Sequence, residues 1–169
     1  MKHVKYDCGN NDEVSIPVPE SYQDCYILAQ SDYYRYTGTN PSFWQMLSNK
    51  GRFRFNFWLR MTSYKGWAYP LCHAMFKRVS AKMSADIRPH TRIGYGFCIG
   101  HGSDFVVGEQ AVVGNNVHIG PRVHISDYVT VGDNAAIWAD SKVMDNVPHN
   151  VIVSGSPAQV VRHRMGKDM

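Results

Sequence analysis

The sequence has no apolar run long enough to cross a bilayer as a helix, and no basic stretch followed by a short apolar core of the kind that opens a signal peptide. It is also short of paired cysteine. Cys8, Cys25, Cys72 and Cys98 are scattered without a CxxC pair, which leaves neither a zinc knuckle nor a disulfide framework to build on. A reduced, cytoplasmic protein is therefore the expectation. The eight histidines include no HxxxH pair of the helical metal-site type, so no metal is expected. Excess charge is small: +4 over 169 residues does not by itself imply nucleic acid. The 44% hydrophobic share suits one domain, or one domain with an appendage.

What is present is a repeat. In FVVGEQAVVGNNVHIGPRVHISDYVTVGDNAAIWADSKV, residues 105–143, Val107, Val113, Ile119, Ile125, Val131, Ile137 and Val143 recur every six residues. Two residues before each stands Phe105, Ala111, Val117, Val123, Val129, Ala135 or Ser141, and Gly108, Gly114, Gly120 and Gly132 follow four of them. A helix has a period near 3.6 and a half-buried strand a period of 2; six is an internal repeat. A short β segment points one branched aliphatic inward and then turns a corner, where Gly or Asn tolerates positive φ. Three hexads close one triangular coil, and coils stack at strand spacing, about 4.8 Å, so that each buries its neighbour's apolar face. A sandwich of short strands with glycine turns is the competing reading, and it has no reason to keep one spacing over seven hexads. Ile87, Ile93 and Ile99 extend the repeat upstream, and the step from Ile99 to Val107 is eight rather than six. Two extra residues thus bulge within GHGSDF, which carries His101. An interruption in a strict repeat marks a loop-borne site. After Val143 the pattern decays; Pro148 and Pro157 stop the coil, and an extended strand with a short helical end is expected.

The front half reads differently. Residues 1 to about 15 are polar and irregular, consistent with a loose arm. A helix is expected from Pro19 to about Arg35, closed by Gly38. A second, short one over 41–48 is expected with Asn40 as N-cap and Pro41 at the first helical position, broken by Gly51. RFRFNFWLRMTSY fits strand or helix, and the helical flanks favour helix. A last helix begins near Tyr69, with Cys72, Met75, Phe76, Val79 and Met83 on one face. The region is basic and aromatic. It reads first as a helical cap over the open lower coil, second as a membrane-surface face, and least as a nucleic-acid binder, since no recognised module appears. The expected fold is therefore mainly β: a left-handed parallel β-helix of hexapeptide repeats with a C-terminal tail over residues 86–169, preceded by an N-terminal α-helical region over residues 1–85.

DIRPHTRIGYGFCIGHGSDFVVGEQAVVGNNVHI is similar to the serine acetyltransferase branch of the hexapeptide acyltransferases, and VMDNVPHNVIVSGSPAQVVR resembles that family's closing segment. Together the likeness covers roughly residues 86–162. The helical front with DYYRYTG resembles members that O-acetylate sugars of capsule or exopolysaccharide. The resemblance implies acetyl transfer from acetyl-CoA to a hydroxyl, in a homotrimer with intersubunit sites. It places the base on His101 and the orienting carboxylate on Asp86. Glu109 of the VVGE turn falls near the acceptor, and Arg92 and Tyr95 count with it as candidate acceptor-binding residues. Gly120, Pro121, Trp138 and Ala139 fall along the CoA groove, with Pro121 and Trp138 replacing smaller residues. Two departures concern the acceptor. Gly100 stands where the serine enzymes have an aspartate, and the further loop with an Arg-His pair that holds an amino acid is missing. They favour a sugar or oligosaccharide acceptor over serine or another small alcohol.

Acetyl transfer to a hydroxyl requires a base for the alcohol proton and donors for the tetrahedral oxyanion. An imidazole titrates near neutrality and can take that proton and return it to the thiolate, while a carboxylate fixes its tautomer. Ile87 and Val107 are expected to stack on one face, which brings Asp86 towards the bulge. His118 and His124 point outward, either as a stacked surface pair or as cleft residues facing a neighbour's His101; His90 and His149 are expected in solvent. The reading from another class is a β-helix scaffold that binds partners without catalysis.

Overall fold

The computed structural model describes residues 1–9, 12–48, 52–100 and 104–164, except the Arg52 side chain. Two strands, β1 (Lys2–Gly9) and β2 (Asp12–Val18), open the chain and are followed by four helices, α1 (Tyr22–Thr37), α2 (Phe43–Ser48), α3 (Arg52–Met61) and α4 (Tyr69–Met83). Nine two-residue strands then build the solenoid: β3 (Arg92–Ile93), β4 (Cys98–Ile99), β5 (Val106–Val107), β6 (Val112–Val113), β7 (His118–Ile119), β8 (His124–Ile125), β9 (Thr130–Val131), β10 (Ala136–Ile137) and β11 (Lys142–Val143). A longer pair, β12 (Val151–Gly155) and β13 (Ala158–His163), completes it.

The expected coil is present. The short strands pair in parallel on three faces: β3-β6-β9, β4-β7-β10-β12 and β5-β8-β11. Their second residues, from Ile93 to Val143, are all buried, and so are Phe105, Ala111, Val117, Val123, Val129, Ala135 and Ser141 two places earlier. The register displays the insertion: Ile93 pairs with Val113 and Ile99 with Ile119, twenty residues on, whereas Val113 pairs with Val131 and Ile119 with Ile137, eighteen on. The pattern does not stop at Val143. Val131 bridges Val147 and Ile137 pairs with Val153, sixteen residues on, so the third coil continues past Pro148 in shortened form. After it, β13 folds back antiparallel on β12; the expected helical end is a strand through His163, and residues 165–169 lie outside the described residues.

The corner chemistry meets the expectation at Asn116 and Asn134 and departs from it at the repeat glycines. Positive φ falls on Gln110, Asn116, Arg122, Tyr128, Asn134 and Asp140, at 52–62°, three residues after each inward aliphatic. The repeat glycines are needed for close approach instead. A Cβ on Gly114 would lie 2.8 Å from the Asp133 nitrogen, and one on Gly132 2.7 Å from the His149 nitrogen, both on the next coil.

The N-terminal segment is not a loose arm. β1 and β2 form an antiparallel hairpin, and Val14 and Ile16 bury against Val112 of the first face, beside Tyr6. Apolar residues at Val4, Tyr6, Cys8 and at Val14, Ile16 alternate with polar ones, which suits a strand with one face on a core. The expected solvated His149 is tied into this contact. Its Nδ1 accepts the Asp133 N–H at 2.8 Å, which leaves the proton on Nε2, 3.2 Å from Cys8 Sγ.

α1, α3 and α4 stand as read from sequence, α1 closed by Gly38 at φ 70°. In α2 the cap is Ser42, not Asn40: Ser42 Oγ accepts the Gln45 N–H at 3.3 Å and Gln45 Oε1 accepts the Ser42 N–H at 2.8 Å, a reciprocal capping box. Gly51 lies outside the described residues. The helices cover the open edge of the first coil and satisfy its backbone. Asn56 Nδ2 donates to Phe97 O, Arg60 to Ile93 O and Gly94 O, and Asp32 Oδ1 accepts the Phe97 N–H. The Tyr36 hydroxyl donates to Ile99 O and accepts from Ile99 N. An uncovered strand edge would offer these groups to another chain; here side chains end the sheet, and Phe55 meets Phe105 edge to face at 5.6 Å. Burial pushes the Cys25 thiol of α1 up to about 12, the behaviour of a packing residue rather than a nucleophile.

Candidate functional site

The three corners of the coil distribute the candidate residues. The corner between the β4-β7-β10 face and the β5-β8-β11 face is the lengthened one in the first coil. His101 falls there, outside the described residues. Below it the same corner carries Gly120 and Pro121, then Trp138 and Ala139. Gly100 N–H donates to Ile119 O and Gly120 N–H to Ile137 O, so the coils stack directly along this edge. Gly120 is buried, and a Cβ on it would fall 2.7 Å from the Ala139 nitrogen; its smallness is demanded by the stack itself. Ala139 is exposed, Trp138 is 47% exposed and Pro121 is half-buried, so these three present surface along the edge. Arg122 and Asp140, both left-handed, rim the same edge as a two-point pair, Nε to Oδ1 at 2.5 Å and Nη2 to Oδ2 at 2.7 Å. The pair holds the Asp140 carboxyl below its usual range. Neither residue was a candidate from sequence, although their spacing is one whole coil.

Asp86 sits on the next face. Its backbone bridges Val106: Asp86 N–H donates to Phe105 O at 2.9 Å and Val107 N–H to Asp86 O at 2.8 Å, so Ile87 and Val107 stack as expected. Val107 points in, so Asp86 shares the outward row with Val106, His124 and Lys142. Its side chain is exposed, and it borders a groove beneath α4 with Lys77, Ser80 and Arg88. Glu109 lies at the far end of this face, ion-paired to Arg88 of the coil before. Its N–H donates to Asp127 Oδ1 at 2.6 Å, so the turn bearing Glu109 is held from both neighbouring coils. The pairing with Arg88 was missed from sequence because the two partners stand twenty-one residues apart, two of them from the insertion and one from a diagonal offset, rather than the regular eighteen.

Arg92 and Tyr95 are not brought to Asp86 and Glu109. Arg92 lies on the β3-β6-β9 face with its guanidinium 4.9 Å from the Tyr6 ring centroid, a cation–π contact with the hairpin. Tyr95 is at the corner beyond, its hydroxyl 3.3 Å from Met1 Sδ, and it lines a 730 Å³ cleft against Ile27, Tyr34 and Arg35 of α1. Both residues serve the N-terminal contact within this chain. Nor are His118 and His124 a stacked pair. One hexad carries the chain to the next face, and stacking takes three. His118 lies between Cys98 and Ala136, and His124 between Val106 and Lys142. His90 is exposed, as expected, and stacks on Tyr69 at 5.8 Å; burial on that side, then Lys65, holds it below the usual histidine range. Among the described residues no three His, Cys, Asp or Glu side chains gather as a metal site, and no helix is long and apolar enough to cross a membrane.

This geometry has known relatives. Residues 110–145 match the family described as bacterial transferase hexapeptide (six repeats). No curated protein matches the sequence. Among solved structures, the fold is similar to that of serine acetyltransferase from Neisseria gonorrhoeae, with TM-score 0.65 and 23% identity over 86% of this chain and 69% of that one. Serine acetyltransferase from Brucella abortus strain S19 gives 0.61 and 24%, over 85% and 69%. A serine acetyltransferase in complex with CoA gives 0.60 and 25%, over 84% and 72%.

Proposed function

We propose that this protein is an acetyl-CoA-dependent O-acetyltransferase acting on a small hydroxyl-bearing acceptor of the serine type, with His101 as general base and Asp86 as its orienting carboxylate. The observation that carries the reading is the two-residue lengthening of the first coil at the corner where Pro121, Trp138 and Ala139 present surface. It occurs in a fold shared with serine acetyltransferases, one of them solved with CoA.

The chemistry asks little of the protein beyond placement. The thioester is already activated, so no covalent enzyme intermediate is required. The imidazole accepts the acceptor's hydroxyl proton as its oxygen attacks the acetyl carbonyl; collapse of the tetrahedral intermediate expels the CoA thiolate, which recovers the proton. Backbone N–H groups at the corner stabilise the oxyanion, and the exposed edge from Pro121 to Ala139 carries the pantetheine arm. Glu109, steadied by Arg88, faces the acceptor. The working form is a homotrimer in the cytoplasm, each groove closed by the neighbouring subunit.

A sugar hydroxyl, as in surface polysaccharide, is the second reading, and two features favour it. Gly100 occupies the place of an aspartate in the serine pattern and is buried with His118 Nε2 3.2 Å from where a Cβ would stand. The second coil is also uninterrupted, with Val107 pairing with Ile125 and Ile119 with Ile137 at eighteen residues, so no loop carries an Arg-His pair there. The deciding experiment measures thiol release from acetyl-CoA with serine, then with sugar nucleotides and oligosaccharides, for wild type and His101→Ala. Turnover with serine supports the first reading. Turnover only with sugars moves the acceptor, and thiol release with none of them leaves a non-catalytic scaffold.

A further inference from the structure

Between Tyr33 and Ala85 the sequence contains nine Lys and Arg residues and no Asp or Glu. Arg60 is buried in the cap. Arg54, Lys65, Lys77, Arg78 and Lys82 are exposed, so the helical end of the molecule presents cations with no acid of its own segment to balance them. Of the acids upstream, Asp32 is buried against Arg60, and Glu20 and Asp24 are engaged by the Met1 amino group at 3.1 and 3.5 Å.

The same helices carry a line of aromatic rings. Trp67, in the α3–α4 connection, meets Tyr22 at 6.2 Å. Tyr26 lies one turn further along α1, on the same face. It meets Phe43 at 6.1 Å, and Phe43 meets Trp44 at 5.7 Å. The ends of this ridge are the exposed parts: Trp67 is 90% and Trp44 74% exposed, with Leu71 at 64% beside the first. A single exposed apolar residue is ordinary; two well-exposed tryptophans linked by part-buried rings, with Phe43 43% and Leu71 64% exposed, make a larger apolar surface.

We infer that this ridge docks on an anionic phospholipid surface, with Trp67 and Trp44 entering at headgroup depth and the surrounding Lys and Arg residues held by the lipid charge. Tryptophan is amphipathic and prefers the boundary between headgroups and acyl chains, and basic side chains near an anionic leaflet add favourable energy that salt removes. Single-stranded nucleic acid also stacks on aromatic rings, but Leu71 and Leu47 at the ends of the ridge offer it no stacking partner. The inference stands apart from the acetyl-transfer reading: of these residues Lys77 borders the Asp86 groove, and neither tryptophan lines it.

The test is co-sedimentation of the full chain with vesicles of phosphatidylcholine alone and of phosphatidylcholine mixed with phosphatidylglycerol, with tryptophan emission read in parallel. Binding to the mixed vesicles alone, a blue-shifted emission and weakening as salt rises are expected. The Trp44→Ala/Trp67→Ala protein, with unchanged circular dichroism, loses at least about tenfold in partitioning, because two large apolar side chains are withdrawn from the interface. Lys65→Glu weakens binding while both tryptophans remain. Equal binding to both vesicle types, no binding to either, or a double-tryptophan variant that binds as wild type does overturns the inference. So does lipid-free self-association abolished by the tryptophan changes, which gives the ridge to a second copy, or displacement of vesicles by an oligonucleotide.

Discussion

Arg60 and Asp32, twenty-eight residues apart, form a fully buried pair: Nη2 to Oδ1 and Nε to Oδ2 are both 2.9 Å. Neither group is left to the other alone. The guanidinium also donates to the Ile93 and Gly94 carbonyls, and the carboxylate accepts the Phe97 N–H at 2.8 Å. Burial pushes the Asp32 carboxyl up, and Arg60 with the other donors pulls it down. The pair is the bolt between α1, α3 and the first coil. Arg60→Met strands a buried carboxylate and two carbonyls, and a loss of about 3–5 kcal/mol is expected in urea unfolding. Asp32→Asn turns an amide NH2 towards N–H donors of Arg60 and its neighbours and leaves the buried guanidinium without its counter-charge, and a comparable loss is expected from it.

The corners predict an inverted response to glycine. Gly114→Ala drives a methyl to within 2.8 Å of the Asp133 backbone nitrogen. Backbone of the next coil cannot swing aside as a side chain can, so a cost of about 1–3 kcal/mol is expected. Tyr128 holds φ at 61° with its side chain 70% exposed. The left-handed conformation costs a non-glycine residue about 1–2 kcal/mol. Tyr128→Gly is therefore expected to leave the melting temperature unchanged or raise it. A drop comparable to that of Gly114→Ala would refute this account of the corners.

His149 predicts a link between the solenoid and the hairpin. Its ring accepts the Asp133 N–H and reaches Cys8, while Asp133 Oδ1 accepts the Asn115 N–H at 2.7 Å. His149→Ala removes the acceptor of a half-buried N–H, which costs about 1–3 kcal/mol. The visible result is faster hydrogen exchange in β1 and β2, with the α1–α3 amides unaffected.

The start of α1 predicts an acid-sensitive contribution. Asp24 Oδ2 accepts the Glu20 N–H at 2.9 Å, while Ser21 Oγ accepts the Asp24 N–H at 3.2 Å. The hydrogen bond from the Glu20 N–H holds the Asp24 carboxyl below its usual range. A lowered carboxyl contributes stability above its unfolded-state value of about 3.9 and loses it as pH falls through the folded one. The stability difference between wild type and Asp24→Asn is thus expected at neutral pH and should vanish in acid. Ser21→Ala costs about 1 kcal/mol.

How much of this was legible in the sequence depends on the range of the signal. The hexads are a local pattern repeated, so the coil, its faces and the inserted corner could be read directly; Val147 and Val153 escaped because the last coil shortens and leaves the strict period. The hairpin was legible in principle, in the alternation of Val4, Tyr6 and Cys8 with Val14 and Ile16, but its polar residues masked the period. Glycine in the repeat was correctly noticed and given the wrong cause, because sequence does not separate positive φ from a close neighbour one coil away. Arg60 read as one more cation of a basic surface. Only the fold shows that Asp32, on another helix, lets it be buried. The same holds for Arg92 and Tyr95, which adjoin the candidate acids in sequence and stand on other sides of the coil.

The candidate site predicts graded losses. His101→Ala removes the proton acceptor from the attack step, and a fall of about 10²- to 10⁴-fold in kcat is expected, with acetyl-CoA binding retained by equilibrium titration. Asp86→Asn keeps the shape and removes the charge that favours the imidazolium, so a smaller fall in kcat is expected. In the proposed mechanism Glu109 faces the acceptor, and its position is set by the Arg88 ion pair and by Asp127. Glu109→Gln should therefore raise the acceptor KM more than it lowers kcat. Arg88→Met should do the same to a lesser degree, since Asp127 still holds the turn. An Arg88→Met protein with unchanged KM would show that the ion pair only decorates the surface, and a His101→Ala protein with full turnover would remove the base from the mechanism.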